Sequence, residues 1–455
     1  MRRLSELEPC AQAILARERE VYVARNPRSR VAFERSCRVL PGGVTRTLCH
    51  FPPFPCQSER GEGCWLVDLD GNRRLDLFSC ATTLILGHRP PEVLRAVEEQ
   101  LGRGTAFQTN TGLETVLAEM LVSRVASVEQ LRFTNSGSEG TLMAVRAART
   151  FTGRPKLAKI EGGYHGSHDS VEISVRPGGS AGGAVDAPMA VAGSAGILPE
   201  VVGNTVILPY NNLGAAQAIL AREASQIAAI IVEPVLAGIG FVPAEPEFLV
   251  GLREEARRYG MLFILDEVQS FRLDRGGAQR LFGITPDLTC FGKIIGGGFP
   301  VGAFGGRADL MALFDTTAGR GKIPHAGTFN GNPITMAAGI ATLERLTEPA
   351  YEKLNGVGDR LRARLRALGG QYEVPLQATG IGSLWKIHFA ETGIRDYRDA
   401  LKASAPLHEA LFLYGLNRGL FIGPAGRDCL SLPMGEAEIE SYLGVVEEFL
   451  RALCA

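Results

Sequence analysis

Residues 227–267 read IAAIIVEPVLAGIGFVPAEPEFLVGLREEARRYGMLFILDE, and the order of their apolar runs decides the fold. The β-branched run at 227–234 predicts a buried strand. Residues 246–260 begin with proline, keep helical apolar spacing and end with glycine, so they predict a helix. The apolar run at 261–267 predicts a second buried strand. Strand, helix and strand at this spacing form a parallel crossover unit.

The same alternation continues at residues 131–153 and 155–166. We therefore expect an α/β fold with a mainly parallel central sheet covered by helices. Toward both chain ends the pattern changes to long amphipathic helices and isolated strands. We expect a large domain over 70–345 and a smaller domain from the two ends, in which 1–69 is an N-terminal arm and part of the small domain and 346–455 is the C-terminal part.

The composition of the 455 residues is ordinary for a soluble protein, with 48 basic and 49 acidic side chains. This balance does not suggest binding to nucleic acid. The start of the chain lacks the apolar core of a signal peptide, and no apolar run approaches the roughly 18 residues of a membrane span. The nine cysteines are odd in number and contain no C-x-x-C pair, so neither a zinc ribbon nor a disulfide framework is indicated. We expect a cytoplasmic protein that does not bind membranes.

Ligands of open parallel sheets bind beyond the carboxyl ends of the strands, and several polar side chains follow the predicted strands there. Ser136 and Glu139 fit a helix capping box, with Gly137 and Ser138 at the helix start. A helix start with free N–H groups suits a phosphate, although on this stretch alone a well-capped helix is the better explanation of the pattern.

Three further side chains follow strands in the same way. Tyr164 comes after two glycines that let the backbone approach a ligand, while Glu233 and Asp266 directly follow buried runs. Asp266 is the strongest carboxylate candidate. His165 and His168 could suggest a metal, but no third ligand is near in the sequence, so we predict no metal site.

Lys293 stands between an aromatic residue and two isoleucines and is followed by glycines 296–298. The chain has only seven lysines against 41 arginines, so a lysine in this place needs a reason. Apolar surroundings lower the pKa of an amine and make it nucleophilic. A core lysine that extends its amine to water is the simpler alternative. With a phosphate site, an aromatic ring and a carboxylate upstream, a Schiff-base lysine explains more, and the cofactor that needs all four features is pyridoxal 5'-phosphate (PLP).

Six motifs, NSGSE, YHG, VEP, LDEV, GKIIGGGFPVGAFGGR and HAGTFNGNP, occur in the order found in class III aminotransferases. From about residue 30 onward the chain resembles the branch of that family that contains glutamate-1-semialdehyde aminomutase. The resemblance implies the type I PLP-dependent transferase fold and a homodimer with active sites at the subunit interface. It also implies that Gly137 and Ser138 bind the cofactor phosphate and that Thr328 reaches the phosphate of the neighbouring subunit.

The resemblance gives roles to four more residues. It implies that Lys293 forms the Schiff base with PLP and moves the proton during catalysis. Asp266 then pairs with the ring nitrogen, Tyr164 stacks on the ring, and Glu233 supports the oxygen side of the ring.

The substrate is suggested by residues 41–55, PGGVTRTLCHFPPFP, which look like the β-amino-acid aminotransferases such as β-phenylalanine aminotransferase. That resemblance implies that Arg46 binds the substrate carboxylate, although Arg46 could also be a plain surface arginine. A second carboxylate-binding arginine of those enzymes falls near residues 423–428, where this chain has Ala425 at the matching place and Arg427 two residues on.

Two other features resemble different parts of the family. Gly140 stands where alanine is common, and the glycine-rich stretch 176–196 resembles the gating loop of the aminomutase. We expect that stretch to be a mobile loop over a site rather than a linker. We predict an aminotransferase that moves an amino group from an amino acid, a β-amino acid, to a 2-oxo acid by a ping-pong mechanism. Intramolecular transfer of the aminomutase type is the alternative.

Two unrelated classes fit the sequence less well. A dinucleotide-binding oxidoreductase would need a G-x-G-x-x-G turn at a helix start, which the crossover units lack, and GRGKIP (319–324) lacks the serine or threonine of a P-loop. A non-catalytic PLP-binding regulator would carry a DNA-binding region, for which the short N-terminal arm leaves no room.

Overall fold

The computed structural model describes residues 2–178, 180–317, 319 and 321–455. Gly179, within the predicted glycine-rich loop, and Arg320, within the GRGKIP stretch, lie outside the described residues. The strands are, in chain order, β1 (Ser58–Glu62), β2 (Trp65–Asp68), β3 (Arg73–Asp76), β4 (Gln130–Thr134), β5 (Lys156–Ile160), β6 (Gly183–Ala184), β7 (Ala187–Pro188), β8 (Thr205–Leu208), β9 (Ile227–Val232), β10 (Val235–Leu236), β11 (Val242–Pro243), β12 (Leu262–Asp266), β13 (Leu288–Gly292), β14 (Gly302–Gly306), β15 (Leu376–Ile381), β16 (Leu384–Phe389), β17 (Leu420–Phe421) and β18 (Asp428–Cys429).

The helices are α1 (Leu4–Arg25), α2 (Pro27–Ser36), α3 (Ser79–Thr82), α4 (Pro91–Leu101), α5 (Gly112–Arg124), α6 (Gly137–Thr152), α7 (Pro199–Gly203), α8 (Leu213–Glu223), α9 (Pro246–Tyr259), α10 (Ala278–Leu281), α11 (Ala308–Met311), α12 (Pro333–Arg345), α13 (Glu348–Gln371), α14 (Tyr397–Ala400), α15 (Ala405–Asn417) and α16 (Glu436–Cys454). In the described part of the chain, none of them is long and apolar enough to cross a membrane.

The chain forms two compact units. The large unit consists of Pro91–Glu352 and the short segment Arg395–Leu401. The small unit consists of the chain up to Pro90 together with Lys353–Ile394 and Lys402–Ala455. The domain limits expected from the sequence stay a prediction, and the segment Arg395–Leu401 carried no pattern that would have placed it with the large unit.

The large unit is built on a seven-stranded sheet in the order β4-β14-β13-β12-β9-β5-β8. The predicted crossover unit is confirmed, because β9 and β12 pair in parallel and α9 connects them. Gly260 ends α9 with a φ of 63°, a left-handed conformation that suits glycine. Only β14 runs antiparallel to its neighbours, so the prediction of a mainly parallel sheet is confirmed.

The centre of this sheet is closed to solvent on both faces. Every residue of β9, β12 and β13 is buried. Because both faces are covered, these strands read as continuous apolar runs rather than as alternating ones. Their carboxyl ends are therefore the places where polar side chains are not explained by packing.

The small unit contains a four-stranded sheet, β1-β2-β3-β17, and a three-stranded antiparallel sheet, β15-β16-β18. One of the isolated strands expected toward the chain ends, in the stretch DCLSLPM (428–434), forms only at Asp428–Cys429. The Pro433 that follows has no N–H to donate to a ladder. Buried Trp385 on β16 donates from Nε1 to the Tyr442 hydroxyl of α16, 3.1 Å away, which fixes that helix on the sheet.

Helix α3 is a single left-handed turn and was not expected from the sequence. Ser79, Cys80, Ala81 and Thr82 have φ values of 47°, 51°, 56° and 73°. Non-glycine residues visit this region singly, since it brings Cβ too close to the next carbonyl. A run of four is strained and must be held by its surroundings.

Candidate active site

The predicted carboxylate and lysine lie at adjacent strand ends of the large sheet. Asp266 is the last residue of β12, and it pairs in register with Cys290 of β13. Lys293 comes directly after β13 ends at Gly292. The parallel pairing therefore brings Asp266 and Lys293 to the same edge of the sheet, as expected.

Lys293 is held in a conformation unusual for lysine. Its φ is 52°, and its side chain is half-buried between buried Gly292 and Ile294. The glycines that follow have a packing function that the sequence did not indicate: a Cβ on Gly297 would lie 2.4 Å from the carbonyl oxygen of Ala338 on α12. The turn after Lys293 is thus pressed against a helix, which fixes the place where the lysine leaves the strand.

Asp266 is buried and bonded on both carboxylate oxygens. Its Oδ1 accepts the backbone N–H of Val268 at 3.0 Å, and its Oδ2 lies 2.8 Å from Nδ1 of His165. Burial lowers the pKa of His165, so a neutral imidazole that donates from Nδ1 suits this contact. His165, considered above only as a metal ligand, instead orients the carboxylate. In the described part of the chain no group of three metal-binding side chains surrounds it.

Tyr164 and Glu233 are joined through the backbone. The Tyr164 N–H donates to Oε2 of buried Glu233 at 3.0 Å, and Ala237 N–H reaches Oε1 at 3.4 Å. Tyr164 as a whole residue is 45% exposed. A large aromatic ring left in solvent at the sheet edge, on a fixed backbone, can stack on a flat ligand.

The helix start after β4 has the predicted Ser136 cap, but the reciprocal bond of the predicted capping box is absent. The Ser136 hydroxyl accepts the N–H of Glu139 at 3.2 Å, while the Glu139 carboxylate bonds to the N–H of Asn135 rather than to that of Ser136. The N–H groups of Gly137 and Ser138 lie in the first turn, where no intrahelical acceptor exists. They can therefore bind an anion, and the helix dipole favours one.

Glycines let this helix start approach the lysine strand. A Cβ on Gly137 would lie 2.8 Å from Val268, and one on Gly292 would lie 3.6 Å from the Cα of Gly137. The Ser138 hydroxyl accepts the N–H of Ser167 at 3.3 Å, which ties the helix start to the segment that carries Tyr164. The helix start and the residue that precedes the lysine are thus neighbours.

Thr328 lies in an exposed recess of about 370 Å³ on the large unit. The recess is lined by residues 106–111 and 327–333 with Glu114. Asn330, two residues after Thr328, accepts from the Asn135 side chain at 2.9 Å. The Thr328 loop is therefore tied to the residue that precedes the helix cap, while Thr328 itself faces outward.

The predicted carboxylate-binding arginines belong to the small unit. The Nη1 of Arg46 lies 3.6 Å from the sulfur of Cys80, on the left-handed turn α3. That hydrogen bond raises the pKa of Arg46, so the guanidinium stays charged. Arg46 and Cys80 are both exposed.

Arg427 is half-buried on a tight loop that closes on itself. Gly423 N–H donates to the Asp428 carboxylate at 2.7 Å, and Nε2 of His408 lies 3.3 Å from the Pro424 carbonyl. A Cβ on Gly423 would lie 2.8 Å from the Phe78 ring, beside α3. The α3 turn thus lies next to both the Arg46 side chain and the loop that carries Arg427.

Sequence reasoning missed two contributors. The position of His165 could have indicated its role, because it follows Tyr164 directly in YHG, in the segment after β5. Strand β5 lies two places from β12 in the sheet. The sequence around Arg398 gave no indication that it bonds to Glu161, which shortly precedes Tyr164, because 237 residues separate Arg398 from Glu161.

The residues of the large unit fit PLP. The close approach of Gly137 to Gly292 places the helix start beside the residue that precedes Lys293, and Asp266 offers a buried carboxylate for a ring nitrogen. Lys293 would hold the aldehyde, Asp266 would keep the pyridine nitrogen protonated, and the N–H groups of Gly137 and Ser138 would hold the phosphate.

Comparison with known proteins gives the family. A family model described as aminotransferase class III matches residues 50–434. The glutamate-1-semialdehyde 2,1-aminomutase of Methanothermobacter thermautotrophicus is 41% identical over 429 residues, which cover 94% of this chain and 99% of that protein. The β-phenylalanine transaminase of Variovorax paradoxus is 40% identical over 430 residues, covering 94% of each.

Solved structures of transaminases are similar to this chain along nearly its whole length. An ω-transaminase from Sphaerobacter thermophilus has a TM-score of 0.90 and 43% identity, covering 95% of this chain and 100% of that chain. PLP is bound in another similar transaminase, with a TM-score of 0.87. The fold is the predicted type I PLP-dependent transferase fold, and the chain belongs to the class III aminotransferases, enzymes that use PLP.

Proposed function

We propose that this enzyme moves an amino group from a β-amino acid to a 2-oxo acid by a ping-pong mechanism. The observation that carries the proposal is the convergence of Lys293, Asp266 and Tyr164 at one edge of the large sheet, beside a capped helix start. The β-phenylalanine transaminase of Variovorax paradoxus, 40% identical, supports the choice of donor.

In this proposal each residue has a separate task. PLP, when bound, supplies an electron sink for the charge left on the substrate carbon. Lys293 would take the proton from the substrate carbon that bears the amine and would deliver it to the cofactor carbon that had carried the aldehyde. Asp266 would keep the ring nitrogen protonated, and His165 would hold Asp266 in place. Tyr164 covers one face of the ring and excludes water from it.

The donor carboxylate is assigned to Arg46. A guanidinium binds a carboxylate through two parallel N–H···O bonds, and charge-assisted bonds of this kind are the stronger ones. Replacing Arg46 with alanine is expected to raise KM for a β-amino acid roughly tenfold or more. The KM for 1-phenylethylamine, which has no carboxylate, should stay within about twofold, as should both values in the Arg38→Ala control. Equal loss with both substrates would remove Arg46 from the site.

Arg427 is assigned to the carboxylate of the 2-oxo acid. Its loop is closed by Asp428 and supported by His408, so the backbone position of Arg427 is fixed. The β-amino-acid enzymes have an arginine at the position of Ala425, so this chain lacks that guanidinium, and Arg427, two residues later, is left to do this task. The Arg427→Ala enzyme should therefore lose affinity for the acceptor while its first half-reaction with a donor proceeds.

The first half-reaction tests the function as a whole. PLP-loaded protein is mixed, without acceptor, with a β-amino acid and separately with an α-amino acid, and the absorbance of the lysine-bound cofactor is followed. Loss of the band with release of a β-keto acid is the expected result. An unchanged band with both donors contradicts amino exchange.

The aminomutase reaction is the second possibility, supported by the 41% identity to the enzyme of Methanothermobacter thermautotrophicus. Incubation with glutamate-1-semialdehyde, again without acceptor, separates the two reactions. Isomerisation at a rate above that of any half-reaction would favour the mutase.

We further propose a homodimer whose active sites lie at the subunit interface and which works in the cytoplasm. Exposed Phe107 and Phe329 line the recess around Thr328. Exposed aromatic rings beside polar residues are typical of a surface that binds another protein chain. Light scattering should give twice the chain mass, and Thr328→Ala should weaken PLP binding only if the neighbouring subunit uses this hydroxyl.

A further inference from the structure

Glu161 comes directly after β5, on the segment that leads to Tyr164, and it makes a buried ion pair with Arg398. The Nε of Arg398 donates to Oε2 of Glu161 at 2.9 Å, and Nη2 donates to Oε1 at 2.6 Å. The two side chains are 12% and 4% exposed. Two parallel bonds of a planar fork fix direction as well as distance, so this pair is a rigid connection.

The same guanidinium also holds the glycine-rich stretch. Nη2 of Arg398 donates to the Gly182 carbonyl at 2.8 Å and to that of Gly183 at 3.3 Å. A Cβ on Gly182 would lie 2.4 Å from this nitrogen, so the glycine is needed for the approach. One side chain therefore joins the end of β5 to the short hairpin of β6 and β7.

The base of the glycine-rich stretch is bonded to the same strand end. Ser174 accepts the N–H of Gly162 at 2.9 Å on its carbonyl, and its hydroxyl donates to the Met189 carbonyl at 2.8 Å. The Ser174 N–H donates to Val191 at 2.7 Å. The stretch expected to be a mobile loop thus has a bonded base and a bonded hairpin.

The turn between Glu161 and Tyr164 is packed from the other side by the neighbour of Arg398. Gly162 has a φ of 78°, and a Cβ there would lie 2.7 Å from the ring of Tyr397. Tyr397 and Arg398 belong to the segment Arg395–Leu401, whose helix is capped by Asp396 accepting the N–H of Asp399 at 2.8 Å. This small segment therefore contacts the turn that presents Tyr164 and the hairpin at once.

We propose that Arg398 is a positioning residue of the active site, which fixes the turn carrying Tyr164 and the hairpin at 182–183 relative to each other. The proposal rests on the proposed function, since it assigns Tyr164 to the face of the cofactor ring. Without Arg398 the Glu161 carboxylate stays buried without its guanidinium partner, and the turn and the hairpin lose one of the anchors they share, so that the bonds of Ser174 are left to join them. Tyr164 then no longer has one position, and the hairpin opens more often.

The chain provides a matched control in the same segment. Arg395 bonds to Glu245 through Nε and Nη2, at 3.0 and 2.5 Å, but both side chains of that pair are largely exposed. Exposed ion pairs contribute little. Arg395→Gln therefore removes the same charge from the same segment without disturbing Glu161.

The test compares Arg398→Gln, Arg398→Lys and Arg395→Gln in the full-length enzyme by two readouts that need no substrate. The Kd for PLP is measured from the quenching of protein fluorescence, and thermolysin cleavage between residues 176 and 196 is followed by mass spectrometry. Arg398→Gln should raise the Kd for PLP and the cleavage rate about tenfold each, because cleavage follows the population of the open hairpin. Arg398→Lys, which keeps the charge but not the fork, should fall between Arg398→Gln and the wild type, and Arg395→Gln should stay within about twofold of the wild type.

If Arg398→Gln equals Arg395→Gln in both readouts, the positioning role is wrong, whatever the enzyme's reaction. If Arg398→Gln does not fold, Arg398→Lys carries the test, and a wild-type Kd and cleavage rate in that variant would overturn the proposal. If PLP affinity falls as expected while the wild type releases no keto acid from any donor, Arg398 keeps its role and the proposed reaction fails.

Discussion

At the scale of single residues, the lysine is the residue whose identity can least be changed. Lys293 sits at φ 52° in a turn pressed against α12, so a side chain is placed there at some conformational cost. Arginine would supply the same charge, and the chain uses arginine 41 times. Only an amine that can lose its proton forms a bond to an aldehyde, and a guanidinium does not lose its proton in proteins.

Lys293→Ala and Lys293→Arg should both abolish the absorbance band of lysine-bound PLP and lower kcat at least about 10³-fold, since base and attachment point are lost together. Neither variant should lower the melting temperature by more than a few degrees. Lys322→Ala, an exposed lysine, is the control. A Lys293→Arg protein that kept the band would show that another amine holds the cofactor.

Gly140 is explained by its contact rather than by helix chemistry. A Cβ there would lie 2.9 Å from the carbonyl oxygen of Ala303 on β14, which is backbone and cannot turn aside. Gly140→Ala is therefore expected to lower the free energy of unfolding by roughly 1–3 kcal/mol, despite the better helix propensity of alanine.

Gly444 in α16 serves as the matched position, because a Cβ there meets nothing within 4 Å. Gly444→Ala should raise the free energy of unfolding by up to about 1 kcal/mol. The two variants are compared by urea unfolding. Equal effects at both positions would mean that the contact of α6 with β14 relaxes without cost.

How well the site could be predicted depends on where each residue lies relative to a strand. Lys293, Asp266 and Tyr164 follow apolar runs, and a parallel sheet brings such ends together, so their placement at one edge follows from pattern alone. The function of glycines 296–298 could not be predicted in the same way, because Gly297 packs closely against the backbone of α12, about 40 residues later in the chain. The bond of Arg398 to Glu161 could not be predicted for the same reason, since the two residues are distant in the sequence.

At the scale of elements, the left-handed turn α3 is the feature that local propensity predicts least. Asp76 accepts the N–H groups of Phe78 and Ser79 at 3.1 and 2.8 Å, and His88 bonds to the other Asp76 oxygen at 2.8 Å. These bonds hold the start of a turn that its own four residues disfavour. The spacing of apolar residues carries no information about such a turn, because the turn is held by polar bonds to Asp76. The strands and helices around it were predictable because their apolar spacing is enough to indicate them.

The strain in α3 can be measured. Ala81→Gly should raise the free energy of unfolding by roughly 0.5–1 kcal/mol, because the relief of the left-handed penalty exceeds the entropy that glycine loses on folding. Ala81→Val should lower it by about 1 kcal/mol or more, since a β-branched side chain fits this conformation worst.

Ala437→Gly, in the right-handed helix α16, is the control for the first substitution. There the change to glycine should lower stability by up to about 1 kcal/mol. The opposite signs at positions 81 and 437 are the decisive result. A loss of stability in both variants would show that the turn is not left-handed in solution.

At the scale of the whole molecule, the two units each bury a titratable group, with opposite consequences for stability. In the large unit Lys159 is fully buried, and its amine donates to the carbonyls of Ile173 and Ile160 at 2.7 and 3.1 Å. Burial lowers the pKa of Lys159 from 10.5 to about 7, although Glu233 and Glu161 oppose the shift. In the small unit burial raises the pKa of Asp428 from 3.8 to about 8.

The signs follow from proton counts. Between pH 7 and about 10.5 the unfolded chain holds a proton on Lys159 that the folded chain has lost, so this group makes the free energy of unfolding rise with pH. Between pH 4 and 8 the folded chain holds a proton on Asp428 that the unfolded chain has lost, so this group makes the free energy of unfolding fall with pH. Each slope is at most about 1.4 kcal/mol per pH unit.

Two nearly isosteric substitutions separate these slopes. Asp428→Asn keeps an acceptor for the Gly423 N–H but no longer titrates, so wild type should lose stability relative to this variant as pH rises from 5 to 8. Lys159→Met should give the reverse above pH 7, where wild type gains relative to the variant. Asp186→Asn, at an exposed carboxylate, should follow wild type throughout. Urea unfolding at six pH values measures all four proteins. Parallel curves for wild type and Asp428→Asn would mean that Asp428 is ionised in the folded enzyme, so that a charged carboxylate accepts the Gly423 N–H in the loop of Arg427.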